Sequence, residues 1–400
     1  MAAEHMFIMD NGANSLKVGY ATDNQPRLIP NAITKAKSET RRRFIGDQVE
    51  DCKDMSQLYY ILCHERGYLV NWEVQKQVWD YVFSSECLGV DFSSTGLILT
   101  EPYFDFCSIQ ENLTEIFFED YGVQSLCVIN PSSLVAYKYH QENPSALCSL
   151  VLDSGYSFSH VVPYVKGRRV KEGIRRINVG GKKLTNYLKD VISFRQLNVM
   201  DETYVINQVK EDVCFVSQNY RSDMDIARKC LPDNVIWRDY VLPDYTSIKR
   251  GFVRPKEQTN GRATDTEQIV RMNLERFQVP ELLFHPSDVG IDQMGICEAM
   301  THAVKSLPKD VHPHMYSNIL LTGGNALFPG FRERVASDLR SLVPELYDIH
   351  VKLDDPVNAA WHGGKLLANN KDDLAKKTLT KQQYGEQGIA FCVDFYNLLH

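Results

Sequence analysis

A short apolar run, Phe7 to Met9, ends in Asp10-Asn11-Gly12, after which Leu16, Val18 and Tyr20 alternate with Lys17 and Gly19. That alternation predicts a hairpin over residues 7 to 21. The pattern returns after Leu150 to Leu152, where Asp153-Ser154-Gly155 opens into Tyr156-Ser157-Phe158-Ser159-His160. Each copy reads as strand, tight turn, strand. Between them Asn71 is placed to cap a helix carrying Val74, Val78, Tyr81 and Val82 on one face. Gly96 to Thr100 and Gln124 to Ile129 read as strands, Ile109 to Phe118 as a helix, and Asn130-Pro131-Ser132 as a turn. Beyond the second hairpin, Gly180-Gly181 precede a helix with Leu184, Leu188, Val191 and Ile192 on one face, and Val205, Val209, Val213 and Val216 predict another. Ile319, Leu320 and Leu321 form a buried strand that runs into Thr322-Gly323-Gly324-Asn325, and Pro329-Gly330 starts a helix carrying Phe331, Val335 and Leu339. A second double glycine, Gly363-Gly364, precedes the final apolar helix and reads as a packing feature. Strands alternating with helices indicate an α/β layered architecture.

Two stretches break the pattern. Lys35, Lys37, Arg41, Arg42 and Arg43 crowd a polar segment between Pro30 and Gly46, which reads as an exposed loop. Such a run is either a solvated surface or a contact for phosphate backbone or an acidic partner. From Leu231 to Asp265 periodicity fades, with Lys249, Arg250, Arg254 and Lys256 near the middle. Tyr240 to Asp244 still reads as strand and turn, leaving residues 250 to 266 unpatterned.

Composition narrows the class. The chain has 400 residues, 44% of them apolar and 24% charged, which is ordinary for a soluble globular protein with two domains or one bilobed body. A net charge of −7 argues against bulk coating of nucleic acid. No apolar run reaches membrane-helix length and the N-terminal residues do not resemble a signal peptide, so the expected location is intracellular. The ten cysteines are scattered without a Cys-x-x-Cys or a Cys/His cluster, and read as reduced packing residues with no zinc site.

The candidate chemistry lies in the two Asp-x-Gly turns. Glycine lets the backbone approach a ligand and aim N–H groups at an anion, while an Asp at the strand end can hold a hydrated cation. Two facing turns would make a phosphate clamp, whereas one alone is an ordinary hairpin. Lys17 could reach a phosphate, although by itself it reads as a solvated strand lysine. Lys210 and Glu211 read by default as solvated helix charges. The strand ending in Gly323-Gly324 before a helix start would admit a flat group and favour anions.

These parts, with Gly-Tyr-Leu-Val-Asn-Trp (67 to 72), Leu-Thr-Glu-Pro (99 to 102), Val-Lys-Glu-Asp-Val-Cys (209 to 214), Leu-Thr-Gly-Gly-Asn-Ala-Leu-Phe-Pro-Gly (321 to 330), Trp-His-Gly-Gly (361 to 364) and Lys-Gln-Gln-Tyr (381 to 384), resemble the actin superfamily in order and spacing. Asp-Ser-Gly-Tyr-Ser-Phe, Arg-Ile-Asn-Val-Gly-Gly-Lys, Val-Met-Asp-Glu-Thr and Ile-Asn-Gln-Val-Lys-Glu-Asp-Val-Cys resemble its actin-related protein six branch. The resemblance implies an actin-like bilobed α/β fold of the Hsp70/hexokinase type, with a smaller subdomain on each lobe. Subdomain 1 would hold residues 1–31, 63–143 and 359–400, subdomain 2 residues 32–62, subdomain 3 residues 144–179 and 291–358, and subdomain 4 residues 180–290 with an insertion near 231–266. It further implies a cleft for ATP or ADP with a divalent cation. Asp10 and Asp153 would face the metal through water, and Gly12, Ser15, Lys17 and Gly155 would meet phosphates. Gly181, Lys210 and Glu211 would border ribose and purine, and Gly324, Leu327 and Phe328 would close the base pocket.

The departures from actin bear on function. The second turn has Tyr156 and Ser157 where actin carries a further Asp and Gly, and Asn130 and Pro131 occupy the region of the water-orienting glutamine. His160 alone matches the water-positioning groups, so hydrolysis is expected to be very slow or absent. A short basic loop, and Asp288 in the segment resembling the hydrophobic plug (residues 285 to 296), argue against an actin-like filament. The resemblance implies a non-polymerising structural subunit of a nuclear remodelling complex that exchanges a histone H2A variant into nucleosomes, with a link to heterochromatin and its proteins. Its partners would be the remodeller's ATPase subunit, a zinc-HIT subunit, and histones and the nucleosome. Lys35, Lys37, Arg41, Arg42, Arg43, Lys249 and Arg250 are candidate contacts to a partner or to nucleosomal DNA. The location would be nuclear, with a cytoplasmic pool as an alternative. Rival classes are a sugar kinase or Hsp70-like ATPase, for which no substrate base or substrate-binding domain is visible, and a cytoplasmic actin-like polymer.

Overall fold

The computed structural model describes residues 5–39, 41–255 and 267–399, with the side chains of 398 and 399 excepted. Among these, two six-stranded sheets carry the fold. In the first, His5–Asn11 and Ser15–Tyr20 form the expected antiparallel hairpin, with Asp10 opposite Lys17. Thr95–Thr100 and then Ser125–Ile129 add in parallel, Leu379–Thr380 closes one edge, and Arg27–Pro30 closes the other. The second sheet repeats the scheme: Cys148–Ser154 pairs antiparallel with Ser159–Val165, placing Asp153 opposite His160. Ile319–Thr322 and then Val351–Leu353 add in parallel.

Two helices separate the sheets. Pro131–Glu142 and Ala359–Asn369 pack on each other, with Leu134, Trp361 and Leu367 meeting Ile8 and Ile98 of the first sheet. Their other faces place Val135, Ala136, Ala359 and Ala360 against Val151, Val162 and Leu320 of the second. The first of these helices corrects the expected turn at Asn130-Pro131-Ser132. Proline at the first helical position is tolerated because its missing N–H would have no intrahelical partner there. Gly363 and Gly364 lie inside the second helix, not before it, and do pack: a Cβ on Gly363 would lie 2.2 Å from the Leu134 carbonyl oxygen. Backbone cannot step aside as a side chain can. Gly363→Ala is therefore expected to cost about 1–3 kcal/mol, read as a lowered urea midpoint at constant slope; an unchanged midpoint would show that the two helices separate freely.

The remaining helices follow their apolar spacing. Asn71 caps Trp72–Phe83 by accepting from the Val74 N–H at 3.2 Å. Gly181–Arg195 buries Leu184, Leu188 and Ile192. Thr203–Val213 buries Val205, Val209 and Val213, while Val216 is buried beyond its end. The expected loop holds only for the middle of residues 31–48: 36–39 and 41–43 carry neither helix nor strand, with Lys37, Arg41, Arg42 and Arg43 exposed, but ordered elements flank them. Ala32–Lys35 is the central strand of a small sheet with Phe44–Ile45 and Tyr59–Leu62, and Gly46–Asp51 is a 3-10 helix. Ala32, Ile33 and Phe44 supply the buried side chains that the basic run obscures. The later insertion is also more ordered than its pattern: Phe252–Val253 and Ile269–Met272 flank Arg238–Val241 in a second small sheet. Arg254 is buried there, 2.5 Å from Glu267. Lys256 and the rest of residues 256–266 lie outside the described residues. No helix among the described residues is long and apolar enough to cross a membrane. All ten cysteines are unpaired thiols, seven of them buried.

Candidate functional site

Each hairpin turn is held by a buried asparagine from elsewhere in the chain. The Asn31 side chain donates to the Gly12 carbonyl at 3.1 Å and exchanges hydrogen bonds with Gln75. Asn325 donates to the Gly155 carbonyl at 2.8 Å and to Ser154 Oγ at 3.1 Å. Within the first turn, Thr100 Oγ1 donates to Asp10 at 2.7 Å and accepts from the Asn11 N–H at 2.9 Å. Lys17 Nζ lies 3.3 Å from the Asp10 carboxylate. The second turn also accepts the first amides of the helix Gly181–Arg195, with Gly181 donating to Gly155 and Lys182 to Tyr156.

The two turns face one cleft of about 450 Å³. The phosphate and metal candidates Asp10, Gly12, Ser15, Lys17, Asp153 and Gly155 border it, as do Gly181, Lys210, Glu211, Gly324, Leu327, Phe328 and His160. Lys210 is not the solvated charge expected by default. It is buried, and donates to Thr185 Oγ1 and Asn207 Oδ1, both at 2.9 Å. Glu211 is exposed at the rim and accepts from Asn207. Gly323-Gly324 does not pass straight into a helix: a 3-10 turn, Gly324–Leu327, intervenes, and Phe331–Leu342 starts beyond the cleft lining. Anions in the cleft therefore meet the turns, not that helix end.

Burial sets the electrostatics. Desolvation and the neighbouring Asp10 charge push Asp153 up to about 6, with Lys17 opposing. Burial, and secondarily Arg176, pull His160 down to about 3, so its imidazole is neutral. It lies against Phe158, with ring centroids 4.3 Å apart, and against Tyr103 at 5.3 Å. His64 also borders the cleft, and burial pulls it down to about 4. His160 Nε2 and His64 Nδ1 are buried without hydrogen-bond partners among the described residues. Glu101, at the cleft wall beside Gln110, is pushed up to about 8 by burial. A carboxyl whose folded pKa is raised contributes stability below its unfolded value, and that contribution is lost as pH rises through the folded value. Glu101→Gln is thus expected to gain on the parent by at least about 1 kcal/mol between pH 5 and pH 8.5; parallel stability-versus-pH curves would refute this.

The departures from actin have definite surroundings. Tyr156 is half-buried at the turn, and burial pushes its phenol up to about 12. Asn130 has its amide fully committed: Nδ2 donates to the carbonyls of Glu101 and Pro102, and Oδ1 accepts from Arg169 at 2.8 Å. The basic residues have differing surroundings. Lys35 and Lys37 border a second cavity, Arg42 pairs with Asp51 and stacks over Phe44, and Arg41 and Arg43 are exposed. Lys249 is exposed, and Arg250 pairs with Asp212 at 2.9 Å.

The actin family model matches residues 1–394. The chain belongs to the actin family. It is 46% identical to actin-related protein 6 of Drosophila melanogaster, over 97% of this chain and 99% of that protein. It is 37% identical to actin-related protein 6 of Oryza sativa subsp. indica, over 96% of this chain and 97% of the other. Actin-like protein ARP6 of Yarrowia lipolytica is 37% identical over 96% of each chain. The actin-like bilobed fold and the likeness to the actin-related protein six branch are thereby established.

Within this actin-family cleft, the donor set fits a nucleotide with a hydrated divalent cation: Asp10 and Asp153 on facing turns, Lys17 beside them, and unpartnered imidazole nitrogens in the wall. Sequence reasoning missed Asn31, Thr100, Glu101, His64 and Asn325. Thr100, Glu101 and Asn325 carried a signal only as members of the Leu-Thr-Glu-Pro and Leu-Thr-Gly-Gly-Asn runs, and Asn31 and His64 carried none.

Proposed function

We propose that the chain is a nucleotide-binding, non-polymerising structural subunit with at most vestigial ATPase activity. It works in a nuclear complex that exchanges a histone H2A variant into nucleosomes, docking the remodeller's ATPase subunit and a zinc-HIT subunit, with a further role at heterochromatin. The observation that carries the reading is the cleft itself. Both Asp-x-Gly turns that would hold a nucleotide are braced by buried asparagines. The hydrolytic side of the cleft is not built in full: Asn130 is tied into the wall, Tyr156 replaces a small acidic residue, and His160 is neutral among aromatic rings. Positioning of water is nearly all that phosphoryl transfer asks of a protein, and here little is left to position it.

A cation bound with the nucleotide would supply charge neutralisation between Asp10 and Asp153. The chain's own residues do the rest. Lys17 places a positive charge at the first turn, Asn31 and Asn325 fix the turn backbones, and Lys210 with Leu327 and Phe328 frames the far end. Asp288 is exposed in the plug-like segment, which supports an adaptor over a filament.

The test is to purify the protein with its bound small molecules, denature it, identify released nucleotide by chromatography, and follow phosphate release. Stoichiometric ATP or ADP without turnover is expected. An empty cleft would retire the nucleotide residues, and rapid turnover would overturn the adaptor reading. Sedimentation as a monomer under polymerising salt is expected; filaments would favour the polymer alternative. Arg41→Ala/Arg42→Ala/Arg43→Ala should weaken nucleosome or partner binding and flatten its salt dependence; unchanged binding on both counts would remove the basic stretch as a contact.

A further inference from the structure

A second cavity, of about 830 Å³, adjoins the first cleft and shares Ala13, Asn14, Ser15, Tyr156 and Asn207 with it. One wall is the strand Tyr59–Leu62, which stands at the edge of its small sheet. The opposite wall is the helix Gly181–Arg195 with the start of Thr203–Val213. The lining sets Lys35, Lys37 and Lys182 against the carboxylate of Asp201, while Lys189 is buried with its ammonium donating to the Met200 carbonyl and Thr203 Oγ1. This excess of cations is local, since the chain as a whole carries −7. Apolar surface is left open beside the lysines: Tyr59 is 67% exposed and Met200 44% exposed.

We propose that this cavity binds an extended, acidic peptide segment of a partner protein, anchored by one aromatic or large aliphatic side chain. Three features each match one property of such a ligand. The edge strand offers main-chain hydrogen bonding to an added strand. The lysines complement carboxylates, which steers encounter and selects against basic segments. The exposed faces of Tyr59 and Met200 give an apolar anchor something to bury. A nucleic-acid backbone would use the lysines and leave the walls and strand edge unused. The assignment goes beyond the adaptor reading by naming a surface and a ligand chemistry, and it does not rest on the nucleotide cleft being filled.

The experiment presents intact protein to an immobilised library of 12-residue peptides that are acidic, neutral or basic, each with Phe, Leu or Ser at the centre. The tightest binders are then measured in solution with a fluorescein label. Acidic peptides with Phe or Leu are expected to be enriched. Lys35→Glu/Lys182→Glu should weaken them about tenfold or more, and Tyr59→Ser should erase the preference for Phe over Ser. Tyr59 is largely exposed, so that variant separates loss of the site from loss of the fold. Inorganic tripolyphosphate, ATP and a single-stranded oligonucleotide serve as competitors. Absence of acidic enrichment, binding unaffected by both variants, or displacement by any competitor as efficient as by unlabelled peptide would overturn the proposal. Nucleotide content of the same preparations tests the cleft separately.

Discussion

Arg334→Ala is expected to remove about 3–5 kcal/mol of stability, the cost of leaving a buried charge without its partner. Arg334, buried in the helix Phe331–Leu342, makes a two-pronged contact with Glu281 at 2.8 and 3.0 Å. It also donates to the Ser217 carbonyl at 2.7 Å, binds Asp338 at 2.9 Å, and lies over the Phe284 ring. Glu281 is buried as well, and its other close partner is His285 at 2.8 Å. Burial alone would raise the Glu281 pKa, but hydrogen bonds from His285 and Arg334 hold it below the ordinary value. A depressed carboxylate contributes stability that is present above its unfolded pKa and lost as pH falls through the folded one. The parent should therefore weaken in acid. In the variant Glu281 has lost the partner that kept it ionised, so protonation relieves it, and the deficit should be larger at pH 7 than at pH 4. Urea melts at both pH values read this directly. An equal deficit at the two pH values would mean that lost packing, not an orphaned charge, sets the cost. Glu281→Gln/Arg334→Met should recover most of the loss, because a buried pair replaced by groups of similar size is often neutral.

The parts of the fold legible in the sequence are those written in local spacing. Alternation across Asp10-Asn11-Gly12 and Asp153-Ser154-Gly155 exposed both hairpins, and apolar periodicity exposed the helices Trp72–Phe83 and Gly181–Arg195. What stayed hidden depends on partners far apart in the chain. The Asn31–Gln75 brace spans 44 positions and the Asn325–Gly155 brace 170, and neither asparagine looks unusual among its neighbours. Lys210 reads as a surface charge until Gly181, Thr185 and Asn207 are brought around its ammonium group. The helix Pro131–Glu142 was hidden for a local reason: Asn-Pro-Ser is turn chemistry and N-terminal helix chemistry alike. The second cavity could not be read at all, since its walls come from residues near 35, 60, 185 and 204. Assigning the lining of the first cleft from sequence drew on the family pattern, because an Asp-x-Gly turn alone does not say that it faces a second one.

Lys17→Met is expected to weaken ATP binding about 100-fold, near 2.7 kcal/mol, within the range for removing one member of a buried charge-assisted contact. Lys17 is the side chain that brings positive charge to the first turn, and its register opposite Asp10 keeps it there. Methionine preserves the stem and removes the charge, so the variant should fold while Asp10 keeps its bond from Thr100. The contrast is Tyr156→Gly, which removes bulk from the second turn. There ATP affinity is expected to rise while phosphate release stays at background, because Asn130 remains tied to Glu101, Pro102 and Arg169 and no group replaces the missing water-orienting amide. Calorimetric titration of nucleotide-depleted protein, with a parallel phosphate assay, measures both. If Lys17→Met binds ATP as tightly as a parent that itself binds, the first turn is not the phosphate contact. If Tyr156→Gly turns over ATP, the aromatic ring and not the lost glutamine is what silences the cleft, and the protein is an ATPase held in check by one side chain.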